Sequence, residues 1–202
     1  MRNNLILSRR GFGAAFAAGA LTLAMSRATL ALTVDDARAL VGRMIDGVNS
    51  IINSGKSESA MLGDFEKLFA RYADVPVIAR SALGVAAKSA SKAQLSAFTK
   101  AFRGYISRKY GRRFREFIGG RIEVTGAKPL KSYFEVVSVA YLQGEAPFDV
   151  RWHVSGKSGK DLFFNIIIEG VNMLASERAE IGALLDKRKG NLDQLIEDLK
   201  SL

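Results

Sequence analysis

The first part of the chain carries apolar residues at intervals of three and four positions, which is the spacing of one face of an α-helix. One such stripe runs over Val34–Ile52. A second stripe, over residues 61–72, follows a turn at residues 53–55. We therefore expect two amphipathic helices in succession, each with one buried face.

Two capping signals mark the helices that follow. Asp74 precedes Pro76, and this pair is typical of a helix start because the carboxylate accepts from free amides and proline has no N–H to lose. Gly84 lies near the expected end of that helix. Ser91 opens a Ser-x-x-Gln capping box, which predicts a long helix that ends before the glycine pair at residues 119–120.

The period of the apolar pattern becomes two after residue 120, and this alternation is typical of β-strands. Four segments show it, beginning at Ile122, Phe134, Phe148 and Leu162. Helical spacing resumes at Leu174 and again over residues 192–202. Helices, then strands joined by short turns, then helices predict an α+β fold with an antiparallel four-stranded sheet.

The N-terminus has the pattern of a bacterial export signal. Residues 8–12 read Ser-Arg-Arg-Gly-Phe, a weakly apolar run rich in Ala and Gly follows to residue 25, and small residues lead to Ala31. This order predicts a twin-arginine signal that is cleaved near Ala31. A Sec signal and an uncleaved anchor are the alternatives, although the run is shorter than the about 20 residues that span a bilayer. We expect residues 1–31 to be removed and residues 32–202 to form a single periplasmic domain.

Export changes the charge and narrows the possible chemistry. The chain has 30 basic and 20 acidic residues, but residues 1–31 hold four arginines and no acidic residue, so the remainder has a formal charge of +6. Export also argues against nucleic acid as a partner.

Cysteine is absent and His153 is the single histidine of the chain. This composition excludes Cys/His zinc sites and leaves one candidate for the histidine of a catalytic triad. We expect no metal and no cofactor, and we expect His153 to face solvent, opposite Trp152.

Two apolar surfaces are candidate walls for a binding pocket. They are formed by aromatic residues of the long helix and by alternate residues of the fourth strand, namely Phe98, Phe102, Tyr105, Phe164, Ile166 and Ile168. The alternative is a filled core in which these side chains pack on one another. The residues alone leave both interpretations open.

The densest cluster of charge lies toward the end of the long helix. It contains Arg108, Lys109, Arg112 and Arg113, with Tyr110 among them. In an exported protein, such a surface is expected to face anionic membrane lipid, a lipid phosphate or an acidic patch on a membrane partner. A solvated helix face is the alternative.

Three stretches of the sequence resemble the MlaC (toluene-tolerance) family. They are residues 69–84 with Asp-Val-Pro-Val-Ile-Ala-Arg-Ser-Ala-Leu-Gly, Gln94 with Phe98 and Phe102, and residues 166–174 with Ile-Glu-Gly-Val, followed by Arg178. The resemblance extends from about residue 34 to residue 202. The family comprises periplasmic phospholipid carriers that serve an ABC-type intermembrane lipid transport system.

The resemblance implies a curved antiparallel sheet wrapped by helices around a pocket for acyl chains. It also implies a carrier without chemistry, which moves phospholipid between transport complexes of the inner and outer membranes, with lipid as cargo and no cofactor. The residues then expected to bind lipid are Ile78, Leu83, Phe98, Phe102, Tyr105, Val124, Phe134, Val150, Trp152, Phe164, Ile166, Ile168 and Val171. The residues then expected to face a partner or the lipid headgroup are Arg108, Lys109, Arg112 and Arg113.

The sequence departs from the family pattern at several positions. It has Val-Ala-Ala at residues 85–87, where the family has an aromatic residue, and Asn172 and Met173 where the family has Ser-Leu. These departures concern the lipid more than the fold, and one branch of the family is associated with hopanoid lipids. Two alternatives stay open: a carrier of hopanoid or another lipid, and a small exported α+β enzyme with an Asp/Glu–Tyr site in an apolar pocket. A convergent polar group deep in the pocket would favour the enzyme.

Overall fold

The computed structural model describes residues 32–113 and 118–202, and the predicted export signal at residues 1–31 lies outside the described residues. The described helices are α1 (Val34–Ile52), α2 (Glu58–Tyr72), α3 (Val75–Leu83), α4 (Lys92–Arg113), α5 (Met173–Lys187) and α6 (Leu192–Ser201), with a short 3₁₀ helix at Gly84–Lys88. The described strands are β1 (Arg121–Leu130), β2 (Tyr133–Tyr141), β3 (Phe148–Ser155), β4 (Leu162–Ile168) and β5 (Val171–Asn172). None of the helices in these ranges is long and apolar enough to cross a membrane.

The predicted helix starts are confirmed by their caps. The Asp74 side chain accepts from the Val77 amide at 3.3 Å at the start of α3. Ser91 and Gln94 exchange two hydrogen bonds of 3.1 Å as a capping box before α4. Each cap joins residues that are three positions apart, so it could be predicted from the local sequence.

The strands form one antiparallel sheet in the order β1-β2-β3-β4-β5. The α+β class and the antiparallel sheet are confirmed, but the described sheet has five strands where the sequence predicted four. The fifth strand forms because Glu169 and Gly170 both have positive φ, 49° and 81°, as in a type I′ hairpin turn. Val171 therefore pairs back onto Ile168 before α5 begins.

A β-bulge in the pairing of β3 with β4 changes which aromatic side chain faces the core. The register shifts between His153 and Val154, so that one residue of β4 has no partner and the alternation restarts. Phe163 contacts the ring of Trp152, with centroids 5.7 Å apart, whereas Phe164 contacts the ring of His153 at 5.8 Å. Phe163 therefore lies in the core beside Trp152, although the predicted alternation placed only Phe164 on the face of the inward-facing isoleucines.

His153 is buried rather than facing solvent, which corrects the prediction. It is 8% exposed, because the rings of Tyr133 and Phe164 cover it with centroids 4.7 and 5.8 Å away. Its Nε2 lies 3.5 Å from a carboxylate oxygen of Glu135, and its Nδ1 lies 3.5 Å from Nδ2 of Asn165. Burial lowers the pKa of His153, and this effect exceeds the opposing influence of Glu135.

The core lies between the inner face of the sheet and the helices. Helices α1, α3 and α5 contact the strands, and α4 packs on α2, α3 and α6. Phe98 and Phe102 of α4 are both 0% exposed, and their rings stack 5.6 Å apart. The aromatic surface of α4, which the sequence predicted as a pocket wall, is therefore packed in the core around Phe98 and Phe102.

Candidate functional site

A cavity of about 550 Å³ lies between the helices and the inner face of the sheet. Its wall is formed mainly by α1, α2, the second half of α4, strands β3 and β4, and the start of α5. Glu145, Glu169 and Val171 belong to the wall and are exposed, so the cavity reaches the surface beside the β4–β5 turn. Ligand pockets span about 300–1,000 Å³, so this cavity is large enough for a ligand.

Part of the predicted lipid-binding set lines this cavity. The residues in the wall are Ile78, Val150, Trp152, Phe164, Ile166, Ile168 and Val171. The predicted residues outside the wall are Leu83, Phe98, Phe102, Tyr105, Val124 and Phe134. On α4 the wall begins one turn after Phe102, at Ile106, because the preceding turns are packed in the core. The apolar stripe of α4 is real, but the cavity lies against a later part of it.

Two helices contribute wall residues that the sequence did not indicate. Met44 and Val48 lie on α1, and Phe65, Leu68 and Phe69 lie on α2. All five belong to the region of apolar spacing that predicted these helices. Such a stripe marks a buried face but does not tell whether that face meets packed side chains or a cavity.

A buried carboxylate also lies in the wall. Glu177 of α5 is 3% exposed, and its Oε1 accepts from the Tyr110 hydroxyl and, at 2.7 Å, from Lys109 Nζ. Lys109 Nζ also donates to Glu180 at 2.5 Å, and the Tyr105 hydroxyl donates to Glu180 at 2.5 Å. These five side chains, which we call the α4–α5 polar network, join the two helices at the edge of the cavity.

The network holds its groups in defined protonation states. Burial, reinforced by Glu177, raises the pKa of Tyr110, and burial with Glu180 raises that of Tyr105. Burial by itself would lower the pKa of Lys109, but the hydrogen bonds to the two carboxylates outweigh it and raise that pKa. Burial opposes ionisation of Glu180, yet donation from Lys109 and Tyr105 keeps its pKa lowered. At neutral pH both hydroxyls are therefore donors and Lys109 is charged.

The basic residues of α4 are partly engaged within the protein. Arg108 donates to the Leu199 carbonyl of α6 at 2.6 Å, and Lys109 belongs to the polar network. Arg112 is exposed, and the side chain of Arg113 lies outside the described part. Arg108 and Lys109 thus have partners within the protein, and a role facing a partner or a headgroup stays a prediction for all four residues.

No group of three or more histidine, aspartate or glutamate side chains that could hold a metal ion occurs within residues 32–113 and 118–202. The carboxylates in the cavity wall are instead separate side chains, and Glu177 accepts hydrogen bonds from Lys109 and Tyr110 of α4.

These features define an α+β protein in which an antiparallel sheet and helices enclose a largely apolar cavity that reaches the surface. Residues 42–201 match the family model of the MlaC protein, so the chain belongs to the MlaC family and the resemblance is confirmed. A solved structure of similar fold is a phospholipid-binding protein from Ralstonia solanacearum in complex with a phospholipid. It is 18% identical to this chain with a TM-score of 0.69, and the match covers 82% of this chain and 95% of that one.

Proposed function

We propose that this chain is a periplasmic phospholipid-binding carrier that moves lipid between transport complexes of the inner and outer membranes without chemistry. The observation that carries the proposal is the largely apolar cavity of about 550 Å³. Membership of the MlaC family supports it, as does the fold shared with a protein that holds a phospholipid.

The need for a carrier follows from the cost of exposing acyl chains to water. Each methylene contributes about 0.8 kcal/mol, so two chains with roughly 30 methylenes cost about 24 kcal/mol on leaving a membrane. A carrier must therefore offer the chains a dry surface. The wall around Phe65, Trp152 and Ile166 supplies aromatic and aliphatic side chains of this kind.

An exported enzyme is the second candidate, and the polar network is the observation that favours it. Tyr110 and Glu177 form a Glu–Tyr pair at the wall of an apolar cavity. An acid–base catalyst works best with a pKa near the operating pH. The raised pKa of Tyr110 moves the hydroxyl away from that range, and the hydroxyl already donates a hydrogen bond to Glu177. The pair therefore supports a role in holding α5 more than a role in catalysis.

The proposal is tested by purifying the exported protein from bacterial cells and identifying bound lipid by native mass spectrometry and solvent extraction. We expect an intact phospholipid in a substantial fraction of the molecules. Recovery of a hopanoid instead would identify the other cargo class that the departures from the family pattern left open.

Two results would contradict the carrier. One is the absence of lipid of any class after repeated extraction, together with no uptake from phospholipid vesicles. The other is conversion of added phospholipid to lysolipid or free fatty acid, which would show an enzyme. Tyr110→Phe is the control for that outcome, because it removes the hydroxyl from the Glu–Tyr pair and leaves the apolar wall in place.

A further inference from the structure

Basic side chains from two helices meet at the end of α3, around Gly84. Arg80 lies four positions before this glycine, on the same side of α3, and Lys88 lies four positions after it in the 3₁₀ helix. Arg178 reaches the same place from α5, because a side chain at residue 84 would place its Cβ 3.1 Å from Nε of Arg178. We call Arg80, Val85, Lys88 and Arg178 the Gly84 surface.

The three cations of the Gly84 surface have no acidic partner. All three are exposed, and none forms an ion pair within the described ranges. No acidic residue occurs at any position from 75 to 92. Elsewhere exposed cations are paired, as Arg188 is with Asp198 at 2.6 Å. The Gly84 surface therefore presents positive charge that the protein itself does not compensate.

An apolar side chain lies among these cations. Val85 is 75% exposed, the largest fraction among the large apolar side chains that the structure describes as exposed. Val77, which is 41% exposed, lies three positions before Arg80 on α3. Contact of such side chains with water is unfavourable. A partner that covers this surface must therefore carry negative charge and also accept apolar side chains.

An anionic membrane surface has both properties. Headgroups with net negative charge attract basic side chains, and the boundary between headgroups and acyl chains accepts apolar ones. A fluid headgroup layer also adapts to the convex surface of a helix, whereas a protein would need a matching concave surface.

We propose that the Gly84 surface docks the protein onto an anionic membrane, with its cations against lipid phosphates and Val85 at the boundary with the acyl chains. Ile78 of the same helix lines the cavity, so the membrane lies about one helix diameter, about 10 Å, from the cavity wall. This goes beyond the proposed carrier function, which requires a cavity for lipid but no contact with a bilayer.

The first test measures co-sedimentation of residues 32–202 with phosphatidylcholine vesicles, with and without phosphatidylglycerol. We expect binding to the anionic vesicles alone, and weaker binding at high salt. Each basic residue near an anionic surface strengthens binding roughly fivefold, so Arg80→Gln/Lys88→Gln is expected to bind roughly 25-fold more weakly. Arg178 is kept, because a cation at the end of α3 also stabilises that helix.

Arg38→Gln/Arg43→Gln on α1 is the matched control. It removes the same charge from two exposed positions without an ion pair in the described ranges. Helix α1 packs on α2 and the sheet, whereas α3 packs on α5. We expect the control to bind anionic vesicles like the unchanged protein. Both double variants change exposed positions only, and thermal unfolding is expected to match that of the unchanged protein.

A second test locates the contact. The chain has no cysteine, so one introduced cysteine can be labelled with a fluorophore that responds to an apolar environment. We expect the fluorescence of labelled Val85→Cys to rise with anionic vesicles. Labelled Ala39→Cys, at an exposed position of α1, is expected to show no change.

Equal binding to both kinds of vesicle would overturn the inference, and so would anionic binding that Arg80→Gln/Lys88→Gln leaves unchanged. An equal fluorescence rise at residues 39 and 85 would overturn it too, because the contact would then have no preferred face. Bound lipid in protein that does not bind anionic vesicles would leave the carrier function intact and overturn this inference alone. Vesicle binding at the Gly84 surface by a protein without cargo would support this inference and contradict the carrier.

Discussion

Ile166 lies in the cavity wall on β4, where it pairs with Trp152 of β3. Ile166→Asp places a carboxylate among apolar side chains, which costs several kcal/mol if the charge stays desolvated. We expect bound lipid to be lost while the domain stays folded, because the emptied cavity reaches the surface and admits water. Lipid content and thermal unfolding are measured on the same sample.

Ile167→Asp is the matched control for this variant. Residue 167 is the next position of the same strand and lies outside the cavity wall, so lipid content is expected to be normal. Normal lipid content in Ile166→Asp as well would show that this face of β4 does not contact the cargo.

Phe102 has the opposite expectation, because it is 0% exposed and lies in the core rather than in the wall. Phe102→Ala is expected to lower the free energy of unfolding by about 3–5 kcal/mol, as truncation of a buried aromatic ring does. Denaturant unfolding measures the loss. If stability were unchanged and only lipid were lost, Phe102 would have to contact the cargo after all.

His153 can be followed by NMR without interference, because it is the single histidine of the chain. Burial lowers its pKa from the usual 6.5, so the unfolded chain takes up the proton more readily than the folded protein. The stability that depends on neutral His153 is therefore complete above about pH 6.5 and is lost as the pH falls toward the folded pKa. Glu135 faces the ring and opposes this shift, and Lys128 and Arg151 in turn lie near Glu135.

We expect the NMR titration to give a pKa below 6.5 for His153. His153→Gln is expected to remove the matching part of the pH dependence of the unfolding free energy. A measured pKa above that value would mean that attraction to Glu135 outweighs burial.

Helix α5 closes one side of the cavity, and the α4–α5 polar network fastens it to α4. Lys109→Met removes the cation that Glu177 and Glu180 share. We expect the free energy of unfolding to fall by about 1–3 kcal/mol, because a buried carboxylate is left with fewer donors. Denaturant unfolding at neutral pH gives the value.

The double variant Lys109→Met/Glu177→Leu tests whether the two residues act together. It is expected to recover part of the lost stability, since it leaves no buried carboxylate at residue 177 without its cation. If the double variant loses the sum of the two single losses, the residues are independent and the network does not fasten α5.

We expect the destination of the whole molecule to depend on residues 1–31, which lie outside the described ranges. Replacing Arg9 and Arg10 by lysines keeps the charge but removes the pair that a twin-arginine signal requires. We expect the precursor to accumulate in the cytoplasm, which the ratio of precursor to processed protein in cell fractions measures. Export at the normal rate would indicate a Sec signal and would leave the proposed periplasmic location unchanged.

The sequence by itself determined the elements and the family. The cap at Asp74 and the capping box at Ser91 depend on residues three positions apart, so a local pattern was enough to predict them. Alternation after residue 120 predicted the long strands, and the motifs at residues 69–84 and 166–174 indicated the MlaC family. The two-residue strand β5 was missed because it is too short to show a period.

Only the tertiary structure decided which apolar faces enclose a cavity and which form the core. Phe102 and Ile106 share one stripe of α4, yet the first is packed in the core and the second lies in the cavity wall. Glu177 meets Tyr110, which lies 67 positions earlier in the chain. Such contacts join segments that are far apart in sequence, and the periodicity of one segment holds no information about what another segment places against it.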